Sequence, residues 1–178
     1  MKLRLNTLQD PFWEKHGIKT PGFDVEKMRE ETDRSPVWIH FGAGNIFRGF
    51  IAELQQRLLE EGEEKSGIIA CDTFDYEIID KIYKPYDNLT LLVGLKPDGT
   101  TEKEIIASVA YGIKADPSDE KEIGKLKELF RNPSLQMISF TITEKGYALA
   151  DLSGEFFPAV KADLDGGPEK ASHAMSIV

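Results

Sequence analysis

Apolar and polar residues are arranged along this chain in blocks whose spacing predicts strands and helices. A continuous apolar run over Val37 to Phe41 predicts a buried strand, and Ser66 to Asp72 predicts a second one. Between them, Asn45 to Glu61 carries apolar residues every three or four positions, which is typical of an amphipathic helix. The predicted inward face of this helix consists of Ile46, Phe50, Leu54, Leu58 and Leu59. Two buried strands joined by a helix form a right-handed crossover.

The second half of the chain adds a hairpin, a helix and a further strand to this pattern. The segment Lys96 to Thr100 has the composition of a turn and lies between two apolar runs, which predicts a β-hairpin. The predicted elements of this half, in chain order, are a short helix over Tyr76 to Tyr83, hairpin strands over Leu89 to Leu95 and Glu104 to Tyr111, a helix over Asp119 to Phe130 and a buried strand over Leu135 to Ile142. This order predicts the α/β class, with a Rossmann-like, doubly wound, mostly parallel sheet and a β-hairpin insertion.

The length of the chain predicts one domain. Its 178 residues suffice for one well-buried core and are short for two ordinary domains. We expect an N-terminal arm at 1–36 on the outside of the domain, a core at 37–150 and a connecting segment at 151–178. The segment Glu169 to Val178 begins a helical pattern that stops at the last residue, which indicates that the chain is part of something longer.

The charge of the chain narrows the classes of partner. It has 31 acidic and 22 basic side chains and a net charge of −9. A surface of this sign argues against binding to nucleic acid or to an anionic membrane. No apolar run reaches the length of a bilayer span, and no secretory signal pattern opens the chain. We therefore expect a cytoplasmic protein.

Cysteine and histidine are too sparse to suggest a metal centre. Cys71 is the only cysteine, which excludes an intrachain disulfide and a cysteine-cluster zinc site. The three histidines have no metal-ligand spacing, and His40, inside the first predicted strand, is interpreted as structural. No metal site is predicted.

The turn between the first strand and the first helix carries closely spaced glycines. A backbone passes close to a diphosphate at such a turn, and the free N–H groups of the following helix supply positive charge. The predicted cofactor-binding residues here are Gly42, Ala43, Gly44, Asn45, Ile46 and Arg48. Asn45 is placed to cap the helix, and the guanidinium of Arg48 is placed to bind the diphosphate. The pattern departs from G-x-G-x-x-G at Phe47, so a structural turn without a ligand is the alternative.

An acidic residue at the end of the second strand fits the same kind of site. Asp72 is placed to accept the hydroxyls of an adenosine ribose, and Asp75 is a less well-placed substitute. A carboxylate at this position repels a 2′-phosphate, which favours NAD over NADP. Two alternatives stay open: Asp72 is an N-cap of the next helix, and Arg48 pairs with Glu53 on the surface.

A second unusual string, Thr141-Ile142-Thr143-Glu144-Lys145-Gly146-Tyr147, follows the last predicted strand. Ligands bind at this edge of the sheet in doubly wound folds. We expect Thr143, Glu144 and Lys145 to form a polar lip near the nicotinamide end of the cofactor. The alternative is a loop with a charged turn.

The glycine turn and this second string together resemble the mannitol dehydrogenase family. Members have G-x-G-x-F-x-R near the N-terminus and T-x-T-E-K-G-Y about a hundred residues later, followed by a stretch similar to Val160 to Leu164. The resemblance covers essentially the whole chain. It implies an NAD-dependent oxidoreductase that interconverts a keto sugar or keto sugar acid with its polyol or aldonate. The chain departs from many members at Ile46 and Phe50, which leaves the substrate branch open.

The resemblance also implies that the catalytic base lies outside this chain. In the family the base is a lysine in a K-x4-N-x2-H string on a second, mostly helical substrate domain. Lys127 and Asn132 have the spacing, but Leu135 replaces the histidine and Lys127 lies on the exposed side of a predicted helix. We therefore expect the cofactor-binding part of such an enzyme, without a catalytic residue and inactive by itself. Its expected partners are a nicotinamide dinucleotide and a small sugar acid or polyol.

Two other functions share part of the pattern. A methyltransferase that binds adenosylmethionine also uses a glycine-rich loop and an acidic residue after the second strand, although its loop usually follows a carboxylate and His40-Phe41 stands here. A noncatalytic nucleotide-sensing module would equally lack the catalytic lysine.

Overall fold

The computed structural model describes residues 1–178, with the exception of the side chain of Lys145. The strands formed by the described residues are β1 Ile18–Lys19, β2 Trp38–Phe41, β3 Ile68–Asp72, β4 Thr90–Leu95, β5 Thr101–Ile106, β6 Val109–Lys114 and β7 Met137–Phe140. The α-helices are α1 Phe12–Lys15, α2 Val25–Arg34, α3 Ala52–Glu61, α4 Tyr76–Ile78, α5 Glu120–Arg131, α6 Glu144–Tyr147, α7 Pro158–Gly166 and α8 Ala174–Ile177. Two π-helical segments, Phe47–Ile51 and Ile79–Tyr83, precede α3 and follow α4.

A parallel sheet of four strands forms the centre of the fold. Its order is β6-β3-β2-β7, and each neighbouring pair is parallel. The chain runs outward from β2 to β3 and β6, and then returns to place β7 on the other side of β2. Doubly wound sheets bind ligands at this kind of switch point, beyond the carboxyl ends of the strands. The predicted Rossmann-like α/β fold is confirmed.

Helical segments cover both faces of this sheet. The side chains of each strand alternate between the two faces, so both faces carry apolar residues that pack against helices. On one face Ile68 and Ala70 pack with Phe47, Ala52 and the π-helical residues after α4. On the other, Ile69 and Cys71 pack with Leu126 and Leu129 of α5. The strand residues are apolar on both sides, as expected of a buried parallel sheet.

A second sheet contains the predicted hairpin. Its order is β1-β5-β4, with β4 and β5 antiparallel and β1 parallel to β5. The hairpin is confirmed, but the predicted strand over 104–111 is wrong. That run is divided between the end of β5 and the start of β6, which belongs to the parallel sheet.

The boundary between β5 and β6 is set by side chains from distant parts of the sequence. The Gln56 amide donates to the carbonyl of Ile105 at 3.0 Å and accepts the N–H of Ala107 at 2.7 Å. The next residue, Ser108, accepts the N–H of Ile68 at 2.9 Å through its carbonyl. No glycine or proline marks this step, so the apolar run looks continuous in the sequence.

The N-terminal 36 residues are tied into the protein by apolar contacts. Trp13, Val25 and Met28 are buried and pack with Leu59 and Ile105. The arm also contributes strand β1 to the second sheet. It contains helix α2 as well, whose N-cap Asp24 accepts the Lys27 N–H at 3.0 Å. The arm therefore shares a hydrophobic core with α3 and the second sheet.

Residues 45–61 form the predicted helix, which contains the π-helical segment Phe47–Ile51 and ends at Gly62 with a φ of +76°. Its predicted inward face is wrong at four of five positions. Leu59 is buried, whereas Ile46, Phe50, Leu54 and Leu58 are exposed. Two glutamines, Gln55 and Gln56, lie in the core instead. The Gln55 amide donates to the carbonyl of Ser66 at 2.7 Å, so both amides satisfy backbone groups between elements.

The remaining predicted elements are present with shifted bounds. Asp119 caps α5 by accepting the Glu122 N–H at 3.1 Å, and β7 is shorter than the predicted strand. The tail forms α7, which the sequence pattern did not predict. The helical pattern predicted from Glu169 onward is present as the short helix α8, Ala174–Ile177. Within the described residues, no helix has the length and apolar character needed to cross a bilayer.

The orientation of helix 45–61 predicts that replacing a buried glutamine lowers stability more than replacing an exposed leucine. Gln56→Leu removes the acceptor of the buried Ala107 N–H and a donor to the Ile105 carbonyl, so we expect it to lower the free energy of unfolding by roughly 2–4 kcal/mol. Leu54→Gln changes an exposed position and is expected to alter stability by less than about 0.5 kcal/mol. Urea denaturation of both variants checks this. Equal losses would mean that the helix is rotated relative to the structure.

Candidate functional site

The candidate site lies where β2 and β7 end beside each other. Gly42 follows β2 with a φ of +103°, a conformation that glycine adopts without strain. A Cβ atom at this position would lie 2.4 Å from the carbonyl oxygen of Thr141, which follows β7. The backbone of the glycine turn therefore contacts the start of the second predicted string directly.

Thr141 holds the two strand ends together by hydrogen bonds. Its N–H donates to the carbonyl of Phe41 at 2.8 Å, and its hydroxyl donates to the carbonyl of Gly42 at 3.0 Å. The Nε2 atom of His40 lies 2.9 Å from the same hydroxyl, and its Nδ1 atom lies 2.7 Å from the Ser139 hydroxyl. The sequence string T-I-T-E-K-G-Y is thus anchored at its first residue.

His40 has the structural position that the sequence indicated. Its ring is fully buried and stacks on Phe47, with 4.2 Å between ring centroids and 8° between planes. Burial disfavours the charged imidazolium and lowers the pKa of His40 from 6.5 to about 4. At neutral pH the ring is therefore uncharged and links β2 to the π-helical segment.

Asp72 ties the end of β3 to the glycine turn. One carboxylate oxygen accepts the N–H of Ala43 at 3.0 Å, and the other accepts those of Phe74 at 3.0 Å and Asp75 at 2.8 Å. The carboxylate is nearly buried and holds the loop after β3. The alternative that Asp72 is the N-cap of the next helix is wrong, because α4 begins at Tyr76 and its N-cap is Asp75. A carboxylate has about four acceptor sites, so three bonds leave capacity for one more donor. Asp75, three residues later, is exposed.

Arg48 lies against the turn instead of pairing with Glu53. Its guanidinium donates to the side-chain oxygen of Asn45, and Glu53 pairs with Arg57. The guanidinium also lies 6.0 Å from the ring centroid of Tyr83. Among the described side chains, the Nε atom of Arg48 is one of two buried polar atoms without a hydrogen-bond partner. Arg48 therefore retains donor capacity beside the glycine turn.

Tyr83 holds the glycine turn by a hydrogen bond, and no local sequence pattern predicts this role. Its hydroxyl donates to the carbonyl of Ala43 at 2.9 Å, and burial raises the pKa of Tyr83. The residue belongs to the π-helical segment after α4, about forty positions from the turn in the sequence. Only the tertiary fold brings it here, so periodicity alone could not identify it.

The outer side of the turn is open. A Cβ atom at Gly44 would meet no atom within 4 Å, and Gly44 does not adopt a positive φ. The N–H groups of Gly44, Asn45 and Ile46 have no acceptor among the described residues. The turn therefore combines free donors, an open surface and a cationic side chain, which is the combination that binds an anion at a helix N-terminus.

The other end of the second string forms the short helix α6. Thr143 is the N-cap of α6 and Glu144 is its first residue, and both are exposed at the carboxyl edge of the sheet. The side chain of Lys145 lies outside the described residues. The structure thus places the start of this string beside the glycine turn, and among the described side chains neither Thr143 nor Glu144 forms a hydrogen bond with the turn.

Comparison with curated proteins finds oxidoreductases whose sequences are similar to this chain. D-mannonate oxidoreductase of Thermotoga maritima is 51% identical over all of this chain, and polyol:NADP oxidoreductase of Gluconobacter oxydans is 29% identical over 90% of it. The chain spans about a third of the length of these curated relatives, 33% and 32% respectively. No family profile matches the chain.

Two solved structures of polyol dehydrogenases have a similar fold over almost the whole of this chain. D-sorbitol dehydrogenase in a substrate-free form superimposes with a TM-score of 0.78 at 27% identity, over 99% of this chain and 34% of the other. Mannitol 2-dehydrogenase of Pseudomonas fluorescens, in a ternary complex with NAD and D-mannitol, has a TM-score of 0.77 at 24% identity, over 99% of this chain and 34% of that one, and shows the fold alone.

This chain is homologous to the N-terminal third of polyol and mannonate oxidoreductases. The resemblance to the mannitol dehydrogenase family is thereby confirmed for that third. Lys127, which has part of the spacing of the base string, lies on α5 and pairs with Glu169. Its position on an exposed helix face agrees with the sequence interpretation.

The buried His40 predicts a pH dependence of stability. The unfolded chain binds a proton at His40 below about pH 6.5, whereas the folded chain resists protonation until about pH 4. Stability therefore falls as the pH drops through this window, by roughly 3 kcal/mol in total. His40→Gln keeps an amide donor and acceptor for Ser139 and Thr141 but does not titrate.

Urea unfolding between pH 4 and pH 7.5 measures the effect. We expect the free energy of unfolding to fall more steeply with acid in the parent chain than in His40→Gln. Parallel pH profiles in the two proteins would show that His40 is not the group responsible.

Proposed function

We propose that this chain is the dinucleotide-binding part of an NAD-dependent oxidoreductase that interconverts a keto sugar or keto sugar acid with its polyol or aldonate. The observation that carries the proposal is the open surface over Gly44, bordered by free N–H groups and by Arg48. The homology to oxidoreductases over the N-terminal third supports the same function.

The glycine turn fits a diphosphate on geometric grounds. Gly42 packs against Thr141 on its inner side, and Gly44 leaves its outer side free for a ligand. The N–H groups of Gly44, Asn45 and Ile46 are available as donors, and the guanidinium of Arg48, which contacts Asn45, places a positive charge beside them. Ala43 has a different role, because its N–H and carbonyl are already bound by Asp72 and Tyr83.

The adenosine end of the cofactor would extend toward the end of β3. Asp72 retains one acceptor site for a ribose hydroxyl, and the exposed carboxylate of Asp75 lies in the loop that Asp72 holds. Phe74 exposes 93% of its surface between them and offers an aromatic face for the adenine ring. Two carboxylates near the ribose favour NAD over NADP, since a 2′-phosphate would be repelled.

The nicotinamide end would lie near the second string. Thr143, Glu144 and Lys145 follow β7 at the same edge of the sheet as the glycine turn, and we assign them to this end of the cofactor. The bound cofactor carries the hydride, and the protein supplies orientation and a proton route. This chain supplies the orientation, whereas the base that accepts the alcohol proton belongs to the part of the enzyme beyond the matched third.

The net charge and the absence of an apolar span among the described helices support the remaining assignments. We propose a cytoplasmic protein whose partners are a nicotinamide dinucleotide and a small sugar acid or polyol, not nucleic acid or a membrane. The adenosylmethionine alternative has no comparable support, because the relatives are oxidoreductases.

Gly44→Ala tests the diphosphate position. The new methyl group would meet no protein atom within 4 Å, so we expect stability to be unchanged. It would occupy the space assigned to the diphosphate, so NADH affinity should fall by about tenfold or more, equivalent to about 1.4 kcal/mol. Titration of the chain with NADH, followed by nicotinamide fluorescence, measures this.

Gly124→Ala is the matched control, because it lies in α5 and its added methyl also meets no atom within 4 Å. It should leave NADH affinity unaltered. If Gly44→Ala binds NADH as the parent does, the diphosphate does not lie on this turn. If the parent chain fails to bind NADH at millimolar concentration, the proposed function loses its main support.

Replacing the two carboxylates tests the cofactor preference. Asp75→Ser should raise the affinity for NADPH relative to NADH several-fold without changing stability, because the Asp75 side chain caps no backbone group. Asp72→Ser should raise the same ratio and also lower the melting temperature, because three backbone N–H groups lose their acceptor. Competition between the two cofactors gives the ratio. A ratio unchanged in both variants would place the ribose elsewhere.

A further inference from the structure

Helix 45–61 presents an apolar stripe to solvent. The stripe consists of Ile46, Phe50, Leu54 and Leu58, whose surfaces are 69%, 58%, 42% and 41% exposed. Residues four positions apart lie on the same side of a helix, so the four side chains form one continuous band. An exposed apolar band of this kind marks an interaction site more often than isolated apolar residues do.

The opposite side of the helix already satisfies the core of this chain. Phe47, Ala52 and Leu59 are buried there, together with Gln55 and Gln56, whose amides bind backbone groups of other elements. The chain thus places two amides inward and two leucines outward on successive turns. Rotating the helix would break those amide bonds, so the stripe is fixed in its outward orientation.

We propose that this stripe is the docking surface for the part of the oxidoreductase that follows the matched third. The proposal rests on the proposed function. The relatives continue for about twice the length of the region they share with this chain, which spans 33% and 32% of them. A substrate-binding part must reach the cofactor, and the stripe begins at Ile46, two residues after Gly44.

The chemistry of the stripe defines the complementary surface. Leu54 and Leu58 are flanked on the helix by the Glu53–Arg57 ion pair, so charges border the band without interrupting it. The partner surface would present aliphatic or aromatic side chains along a length of about three helical turns, with polar residues at its margins. A second copy of this chain is the competing occupant.

A chimera tests the occupant in a full-length enzyme. Residues 1–178 replace the matched third of the Thermotoga maritima D-mannonate oxidoreductase, to which they are 51% identical. Leu54→Glu/Leu58→Glu is introduced into the chimera and, separately, into the 178-residue chain. Leu95→Glu is the control in both, because Leu95 is 81% exposed at the hairpin.

We expect the double variant to lower the melting temperature of the chimera by about 5 °C or more, because two charges are forced into a packed interface. In the chain alone the same variant should change the melting temperature by less than about 2 °C, since both positions face solvent. Leu95→Glu should have little effect in either protein. The signature of docking is the difference between the two backgrounds.

Three results would overturn the proposal. The first is an equal effect of Leu54→Glu/Leu58→Glu in the chimera and in the chain alone. The second is a chimera with the parent stripe that does not unfold cooperatively, because the stripe would then not accept that partner. The third is a dimer of the chain in sedimentation equilibrium that the double variant dissociates, which assigns the stripe to a second copy.

The docking proposal and the proposed function can be tested separately, because docking is measured by melting temperature and the cofactor site by NADH affinity. The two leucines lie outside the glycine turn, so the NADH affinity of the double variant in the chain alone should equal that of the parent. Docking without NADH binding would retain the interface and reject the cofactor site. NADH binding with none of the docking effects would retain the site and reject the interface.

Discussion

The close approach of the Gly42 backbone to Thr141 is the contact on which the site depends. It joins the ends of β2 and β7, the two strands between which the sheet reverses its direction of growth. Only a residue without a Cβ allows this approach, since a methyl group would lie 2.4 Å from the Thr141 carbonyl oxygen. The contact fixes where helix 45–61 begins, and therefore where its free N–H groups point. Gly44, two residues later, has no such contact, so the two glycines serve different purposes: one packs and the other leaves room.

Asp72 shows that a structural role and a binding role are compatible in one carboxylate. Its bond to Ala43 holds the glycine turn, and its bonds to Phe74 and Asp75 hold the loop after β3. The two segments that a dinucleotide would contact are therefore positioned by the same side chain. Removing it would disturb both ends of the site at once, which is why the exposed Asp75 gives cleaner information about the ribose than Asp72 does.

The sequence predicts those features that depend on local pattern. The buried strands, the glycine turn and the acidic residue after β3 are encoded within a few neighbouring positions, because apolar runs and glycine spacing reflect local backbone requirements. The division of 104–111 between two sheets is not encoded locally, since it depends on Gln56 and Ser108 meeting partners far along the chain. Tyr83 was missed for the same reason. The ribose and nicotinamide assignments of Asp72, Thr143, Glu144 and Lys145 stay predictions.

Helix 45–61 explains why a periodic pattern can be correct about an element and wrong about its orientation. Periodicity shows that a helix has an apolar side, but it does not show which surface covers that side. Here the core of the chain is satisfied by Phe47, Ala52, Leu59 and the amides of Gln55 and Gln56, and the longer apolar band faces away. Burying a glutamine is favourable only when its amide is fully bonded, and both amides are bonded here. The helix therefore has one packed side, which is defined by specific hydrogen bonds within this chain, and one apolar side, which faces solvent in this chain.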